Sequence, residues 1–169
     1  GDGGMLLMKK PEQLEAGRRL RWFGIDRQAK QKGVWENDIT EIGYKYQMND
    51  ISAALGLAAL DEFDDILAHR QRLLGEYQRG LAGVAGIQLI GTELTDRTHA
   101  AWLCTVTADN RSGLMARLRE QRIESAQVHY RNDRYSILGG RRNDYPNMDA
   151  LEERYLVLPL HTRMSTGDV

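Results

Sequence analysis

The sequence has little of several features that mark large functional classes of protein. Cysteine occurs once in 169 residues, so no internal disulfide can form. Acidic and basic residues nearly cancel, with a formal net charge of -1, which leaves no general electrostatic field to attract nucleic acid or an anionic membrane. No apolar run approaches the roughly 18 residues of a membrane span, and no signal segment opens the chain. We therefore expect a cytoplasmic protein with neither a nucleic-acid nor a membrane partner.

The sequence also lacks the residue patterns that mark metal sites and triphosphate-binding loops. The four histidines lie far apart and one cysteine adds no ligand pair, so no metal-ligand spacing occurs and we expect no metal. The glycines at the start of the chain lack the lysine and hydroxyl residue of a phosphate-binding loop, and they precede a predicted strand. The single cysteine, Cys104, lies in an apolar run and is predicted to be a small core residue of a strand.

Apolar residues make up 41% of the chain and charged residues 28%, a composition that suits a soluble domain with a real core. The first part, 1–50, is predicted to hold a strand at 5–8, a surface helix from Pro11 and a long loop over 23–42. The second part, 51–83, is predicted to be one long helix. The third part, 84–169, has predicted strands at 87–90, 100–106, 124–130 and 155–158, and predicted helices at 113–121 and 148–153. These elements indicate a small α/β domain with a mostly antiparallel sheet.

The most informative segment runs from Gly43 to Leu60. Its first part crowds aromatic and polar residues into a short loop, and Asn49 and Asp50 can cap the backbone amides that follow. The next ten residues, from Ile51, are almost free of charge and rich in alanine and leucine. This pattern predicts a functional loop that leads into a helix packed on nearly all sides.

Three stretches resemble a known family. They are the start of the chain (Gly1-Asp2-Gly3-Gly4-Met5-Leu6-Leu7), the 43–48 loop with its alanine-rich helix and, more loosely, His99-Ala100-Ala101-Trp102. Together they resemble the DegT/StrS family of nucleotide-sugar aminotransferases, which depend on pyridoxal phosphate (PLP). The resemblance implies the C-terminal part of a fold-type I enzyme, in which the long helix links the tail of the large PLP-binding domain to a small α/β domain that is truncated at its end.

The resemblance also places the lysine that forms the Schiff base with PLP upstream of Gly1. It therefore implies no catalytic residue within this chain, and the chain alone is expected to be inactive. Lys9 and Lys10 do not match the family position, and we expect them to be solvated charges.

By resemblance, the full-length protein uses PLP and glutamate to transaminate a keto group on a nucleotide-linked deoxysugar, as in perosamine-like amino-sugar synthesis, and forms a homodimer. Two alternatives stay open. A relative with histidine in place of the lysine would remove a hydroxyl from the sugar as a dehydratase. A non-catalytic sensor or dimerisation module would keep the small domain and bind no cofactor.

The resemblance assigns cofactor roles to the 43–48 loop. Lys45 matches a position that reaches the phosphate of the partner subunit's PLP, and a lysine there supplies a cationic donor. Tyr44 is the second candidate for cofactor binding. The alternatives are a solvated lysine and tyrosines that only pack.

Four consecutive residues at the end of the predicted strand 124–130 are candidates for binding the sugar nucleotide: His129, Tyr130, Arg131 and Asn132. The alternative is a structural loop in which Asp133 forms a salt bridge with a neighbouring arginine. We expect Trp102 to pack in the core, with a wall of the sugar pocket as the alternative. Residues 21–24 are expected to pack at a helix end.

Overall fold

The computed structural model describes residues 3–36 and 38–169, so Gly1 and Asp2 of the predicted N-terminal turn lie outside the described residues. The chain divides into two compact units, Gly1–Glu62 and Phe63–Val169. The helices are α1 (Pro11–Leu20), α2 (Arg27–Gln31), α3 (Asp50–Asp61), α4 (Phe63–Gly80), α5 (Arg111–Glu120) and α6 (Pro146–Glu152). The strands are β1 (Ile87–Leu89), β2 (Cys104–Ala108) and β3 (Tyr155–Leu158). Among the described residues, no helix is both long and apolar enough to cross a membrane.

The first unit starts with an extended segment and α1. Proline at the first helical position suits the start of α1, because the amide it lacks would have no partner there. The predicted strand at 5–8 is wrong: these residues form no strand, and Met5 and Leu7 are more than four-fifths exposed. A strand needs a neighbour for its backbone hydrogen bonds, and the described part of this unit pairs none with the segment.

The predicted loop over 23–42 contains one short helix, α2. Asp26 caps it by accepting hydrogen bonds from the amides of Gln28 and Ala29, both at 3.0 Å. The predicted cap at the start of α3 is confirmed, because the Asn49 side chain accepts a hydrogen bond of 2.8 Å from the Ser52 amide.

The prediction of one continuous helix over 51–83 is wrong. Helix α3 ends at Asp61 and α4 begins at Phe63, with Glu62 between them at φ −102° and ψ 0°. Four of the five residues 61–65 are acidic. Acidic side chains are unfavourable at the negative end of one helix and favourable in the first turn of the next, so the charge pattern favours an interruption at this point.

The expected burial of α3 is also wrong for this chain. Ile51 is 77% exposed, and Leu55, Leu57 and Leu60 are each more than half exposed. An apolar helix is buried only where other apolar surfaces cover it. The described residues do not supply that cover, so α3 presents a bare apolar surface.

The second unit has its core on a three-stranded antiparallel sheet of order β1-β2-β3, which confirms the predicted antiparallel α/β domain. Val106 in the central strand pairs with Leu89 on one side and Leu156 on the other. Cys104 is fully buried, as predicted, and burial raises the pKa of its thiol to about 12. Helix α4 covers this core with Leu73, Leu74 and Tyr77.

Most predicted elements of this unit are confirmed with shifted ends, and one is wrong. Strand β3 has the predicted bounds, whereas β2 begins four residues later than predicted because Ala101 adopts a left-handed conformation with φ +50°. The predicted strand 124–130 is reduced to a single antiparallel bridge, in which Ala126 and Val157 exchange backbone hydrogen bonds of 3.3 and 2.8 Å.

Candidate functional site

The 43–48 loop of the first unit is held against the C-terminal end of α1 by backbone hydrogen bonds. The amide of Tyr44 donates to the carbonyl of Leu20 at 2.7 Å, and the amide of Tyr46 donates to Arg21 at 2.9 Å. In the opposite direction, the Phe23 amide donates to the Tyr44 carbonyl at 3.0 Å. Lys45 is therefore paired with Trp22 in an antiparallel bridge, and its backbone has a fixed position.

Glycine is required at two points of this arrangement. A Cβ on Gly43 would lie 1.9 Å from the amide nitrogen of Gly24, so only glycine allows the two segments to approach this closely. Gly24 itself has φ +76°, and a Cβ there would lie 2.4 Å from the Glu41 carbonyl oxygen. The residues around Gly24 pack at the helix end as predicted, with the Trp22 and Phe23 ring centroids 5.1 Å apart.

The side chains of Tyr44, Lys45 and Tyr46 point to two opposite sides of the loop. The rings of Tyr44 and Tyr46 stack at 5.1 Å with an interplanar angle of 14°, so they share one side. Lys45 lies between them in an extended segment, and alternation sends its side chain to the other side. All three side chains are exposed. The loop therefore presents a cationic group on one side and a stacked aromatic pair on the other.

In the second unit, His129 contacts Trp102. Their ring centroids are 5.6 Å apart with an angle of 54° between the planes. The predicted core position of Trp102 is wrong, because the indole is 62% exposed while the preceding residue, Ala101, is fully buried. The left-handed turn at Ala101 sends the small side chain inward and the large one outward. We call Trp102 and His129 the ring pair.

Trp102 also lines a groove with a volume of about 860 Å³ and a mainly apolar lining. The neighbouring residues Leu103 and Val128 belong to the same lining, and His129 is joined to it through its contact with Trp102. The arrangement joins a flat apolar ring, an imidazole that can donate or accept a hydrogen bond, and a concave apolar surface.

The next residues along the chain have different surroundings. The Arg134 guanidinium lies over the ring of Tyr130, 4.4 Å from its centroid, and leaves this tyrosine about half exposed. Asn132 begins a short 3-10 turn, Asn132–Arg134, with an exposed side chain, and its carbonyl accepts a hydrogen bond of 3.2 Å from the Tyr135 amide.

Arg131 is buried in an ion-pair cluster. Its guanidinium donates to both carboxylate oxygens of Asp133, at 2.5 and 2.6 Å, to Asp149 at 2.5 Å and to Glu152 at 3.2 Å. The guanidinium holds the pKa of the Asp133 carboxyl well below its usual range, and the carboxylates raise the pKa of Arg131. The salt bridge that the sequence left open is formed, and the donors of Arg131 bind protein carboxylates.

Sequence reasoning missed one residue that shapes this site, Arg70 of α4, which donates hydrogen bonds to the backbone beside Trp102. A signal was available. Arg70 lies three, four and seven residues before Leu73, Leu74 and Tyr77, so a charged residue continues the apolar face of the helix. Within residues 3–36 and 38–169, no group of three His, Cys, Asp or Glu side chains is placed to hold a metal ion.

Comparison with known proteins gives a consistent result. The DegT/DnrJ/EryC1/StrS aminotransferase family model matches residues 1–169. The spore coat polysaccharide biosynthesis protein SpsC of Bacillus subtilis is 30% identical over all of this chain and 47% of its own length. The UDP-4-amino-4-deoxy-L-arabinose–oxoglutarate aminotransferase of Shewanella sediminis is 27% identical over 99% of this chain and 48% of its own.

A solved structure agrees with these relatives. Spr1654 of Streptococcus pneumoniae in its PLP form is 28% identical, with a TM-score of 0.76 over 95% of this chain and 41% of that one. The chain thus spans about half the length of the curated relatives it matches. Since the family model matches every residue, the chain belongs to the DegT/DnrJ/EryC1/StrS aminotransferase family of PLP-dependent enzymes.

Proposed function

We propose that the protein containing this chain transfers an amino group from glutamate to a keto group on a nucleotide-linked deoxysugar, with PLP as its cofactor. A 4-keto-6-deoxyhexose, as in perosamine-like synthesis, is the proposed sugar. The observation that carries the proposal is the 43–48 loop, whose hydrogen-bonded backbone holds an exposed Lys45 in a chain that belongs to an aminotransferase family. The name of the Shewanella relative pairs a UDP-linked amino sugar with oxoglutarate, which supports a nucleotide-linked sugar as substrate and glutamate as donor.

The residues of the loop fit the phosphate of PLP. A phosphate dianion needs cationic or N–H donors, and Lys45 is an exposed cation whose backbone is already held in place. We assign Lys45 to the phosphate of PLP bound to the partner subunit of a homodimer. Because Tyr44 leaves the loop on the other side, its proposed contribution is a hydroxyl and a ring face at the edge of the cofactor site, supported by Tyr46.

When bound, PLP supplies an electron sink for proton removal at the carbon that carries the amino group. The residues of this chain bind and orient. Lys45 keeps the phosphate in place, and the ring pair offers a flat apolar face and a hydrogen-bonding nitrogen to the sugar ring. Tyr130 and Asn132 follow along the chain with exposed side chains, and both are proposed to contact the sugar nucleotide as well.

Arg131 has a different part in the proposed substrate site. Its guanidinium is occupied by three carboxylates, so it acts on the substrate through the backbone it holds. Arg131 stands at the start of the 3-10 turn, so holding it in place fixes the backbone that carries His129, Tyr130 and Asn132. The substrate contact that the sequence suggested for Arg131 is thus proposed to be indirect.

The test uses the full-length protein. It is incubated with PLP and reduced with borohydride, and its intact mass is measured; glutamate and a nucleotide-linked 4-keto-6-deoxyhexose are then supplied in a separate turnover assay. One reduced adduct on a lysine, together with an aminated sugar product, supports the proposal. Loss of a sugar hydroxyl without an adduct would assign the dehydratase reaction instead, and absence of PLP binding would indicate a non-catalytic module.

A further inference from the structure

Arg70 is the one charged residue that α4 adds to the face carrying Leu73, Leu74 and Tyr77. A half-buried guanidinium on such a face needs hydrogen-bond acceptors, and this one finds three backbone carbonyls. Its Nε–H donates to Ala101 at 2.8 Å, and its Nη2–H donates to Trp102 at 2.6 Å and to Leu160 at 3.0 Å. Arg70 thus joins α4 to the turn before β2 and to the segment after β3.

A second set of bonds holds the same turn. The side-chain amide of Gln71 donates to the His99 carbonyl at 2.9 Å, and the Ala101 amide donates to the His99 ring nitrogen Nδ1 at 2.9 Å. The backbone from His99 to Trp102 is therefore fixed by two neighbouring side chains of α4 and by its own histidine.

The turn needs this support because Ala101 has φ +50°. A left-handed conformation is unfavourable for a residue with a Cβ, since the Cβ approaches its own carbonyl oxygen. The conformation persists where surrounding contacts determine it. Here it has a visible result: Ala101 is fully buried and Trp102 is exposed against His129.

We propose that Arg70 is a positioning residue that holds the strained Ala101 turn and thereby presents the ring pair as a preformed surface for the sugar ring of the substrate. The assignment of a sugar to this surface rests on the proposed function. The positioning of the ring pair by Arg70 is independent of that function, because it concerns only contacts within the second unit. A surface formed before the substrate binds loses less entropy on binding.

The first experiment measures the ring pair directly in the full-length protein. Tryptophan is replaced by a fluorinated analogue, and the fluorine NMR signal of Trp102 is assigned by its loss in Trp102→Phe. In the wild type, His129→Gln should shift this signal, because the imidazole lies against the indole. In Arg70→Gln the same His129→Gln change should shift it by less than half as much, since the two rings no longer keep a fixed arrangement.

Two controls separate positioning from general stability. Arg72→Gln removes an exposed guanidinium from the same helix and should leave the effect of His129→Gln intact. Leu73→Ala weakens the core packing of α4 but removes none of the hydrogen bonds that hold the turn, so it should lower Tm while keeping the signal shift. The proposal is overturned if Arg70→Gln keeps the full shift, or if Leu73→Ala abolishes it as completely as Arg70→Gln does.

The second experiment tests the sugar assignment by steady-state kinetics. Because small misplacements of binding groups cost large factors, Arg70→Gln should raise KM for the sugar nucleotide about tenfold, with little change in kcat. Arg70→Lys should not restore KM, since a single ammonium cannot reach three carbonyls as a guanidinium does.

The outcomes distinguish the two proposals. If Arg70→Gln loses the NMR shift but keeps the wild-type KM, the sugar assignment is overturned and the proposed amino transfer is unaffected. If the wild-type enzyme does not aminate any sugar, the proposed function fails and the sugar assignment fails with it. The NMR result then still decides whether Arg70 positions the ring pair.

Discussion

Arg131 holds Asp133 through two parallel hydrogen bonds, from Nε and Nη2 to the two carboxylate oxygens, although the residues are only two positions apart. The same carboxylate accepts a hydrogen bond from the backbone amide of Arg142 at 2.9 Å. One buried acidic group thus closes the loop from Asp133 to Arg142, and Arg131 ties that loop to α6 through Asp149 and Glu152.

Removing Arg131 should therefore destabilise the second unit. In Arg131→Met, three carboxylates lose a shared partner, and Asp133 is left as a buried charge without its cation. We expect a clear decrease in Tm, measured by circular dichroism. Arg117→Gln, which removes one partner of an exposed helical pair with Glu120, should change Tm little. An equal effect of both substitutions would contradict the stabilising role of Arg131.

Stability should also depend on pH through Asp133. Its pKa is lowered in the folded state by Arg131, so its contribution is complete above the ordinary carboxyl pKa of about 4 and is lost as pH falls below that value. Tm should fall on acidification, and Asp133→Asn should make this fall shallower while lowering Tm at neutral pH. Asp109→Asn removes an exposed carboxylate paired with Arg154 and serves as the control; an equal effect of both substitutions would contradict the role of Asp133.

Gly43→Ala should disrupt the 43–48 loop. The added Cβ would overlap the backbone of Gly24, so the loop must leave α1 and release Lys45. PLP retention in the full-length protein should fall. Gly56→Ala is a matched control, since its Cβ would meet nothing within 4 Å, and replacing a helical glycine should raise stability by about 0.5–1 kcal/mol. Normal retention in Gly43→Ala would refute the loop's role.

Lys45→Ala should weaken PLP binding to the full-length protein about tenfold or more, because it removes one charge-assisted hydrogen bond to the phosphate. Lys45→Arg should recover part of the affinity. Spectrophotometric titration with PLP measures both variants. Lys32→Ala, at an exposed lysine of the same unit, should bind as the wild type does, and affinity unchanged in Lys45→Ala would remove Lys45 from the site.

His129→Ala should raise KM for the sugar nucleotide by about tenfold through loss of a hydrogen bond and of its contact with Trp102, while PLP binding stays normal. Gln78→Ala, at an exposed residue of α4 outside the groove lining, provides the comparison in the same kinetic assay. If the two variants behave alike, His129 does not contact the substrate.

The sequence predicted the parts of this fold that depend on local pattern. Strand β3 has its predicted bounds because four consecutive apolar residues are all buried in a sheet. The cap by Asn49 was predictable because it needs only the first turn of α3.

The remaining features depend on partners that a sequence does not show. Residues 124–130 have the composition of a strand but find one bridging residue, Ala126, at the edge of the sheet. Trp102 has the composition of a core residue, yet the conformation of Ala101 exposes it. The substrate role suggested for Arg131 came from resemblance, whereas its contacts depend on α6, fifteen or more residues later.

The interruption at Glu62 has a consequence for how such a protein can diversify. The 43–48 loop takes its position from α1, and the ring pair takes its position from α4 and β2, so the two are held by different sets of hydrogen bonds. Because helical bonding is interrupted between Asp61 and Phe63, changes in one set are not passed on along an unbroken helix to the other. With the roles proposed above, substitutions around β2 would alter the sugar surface and leave the hydrogen bonds of the 43–48 loop intact.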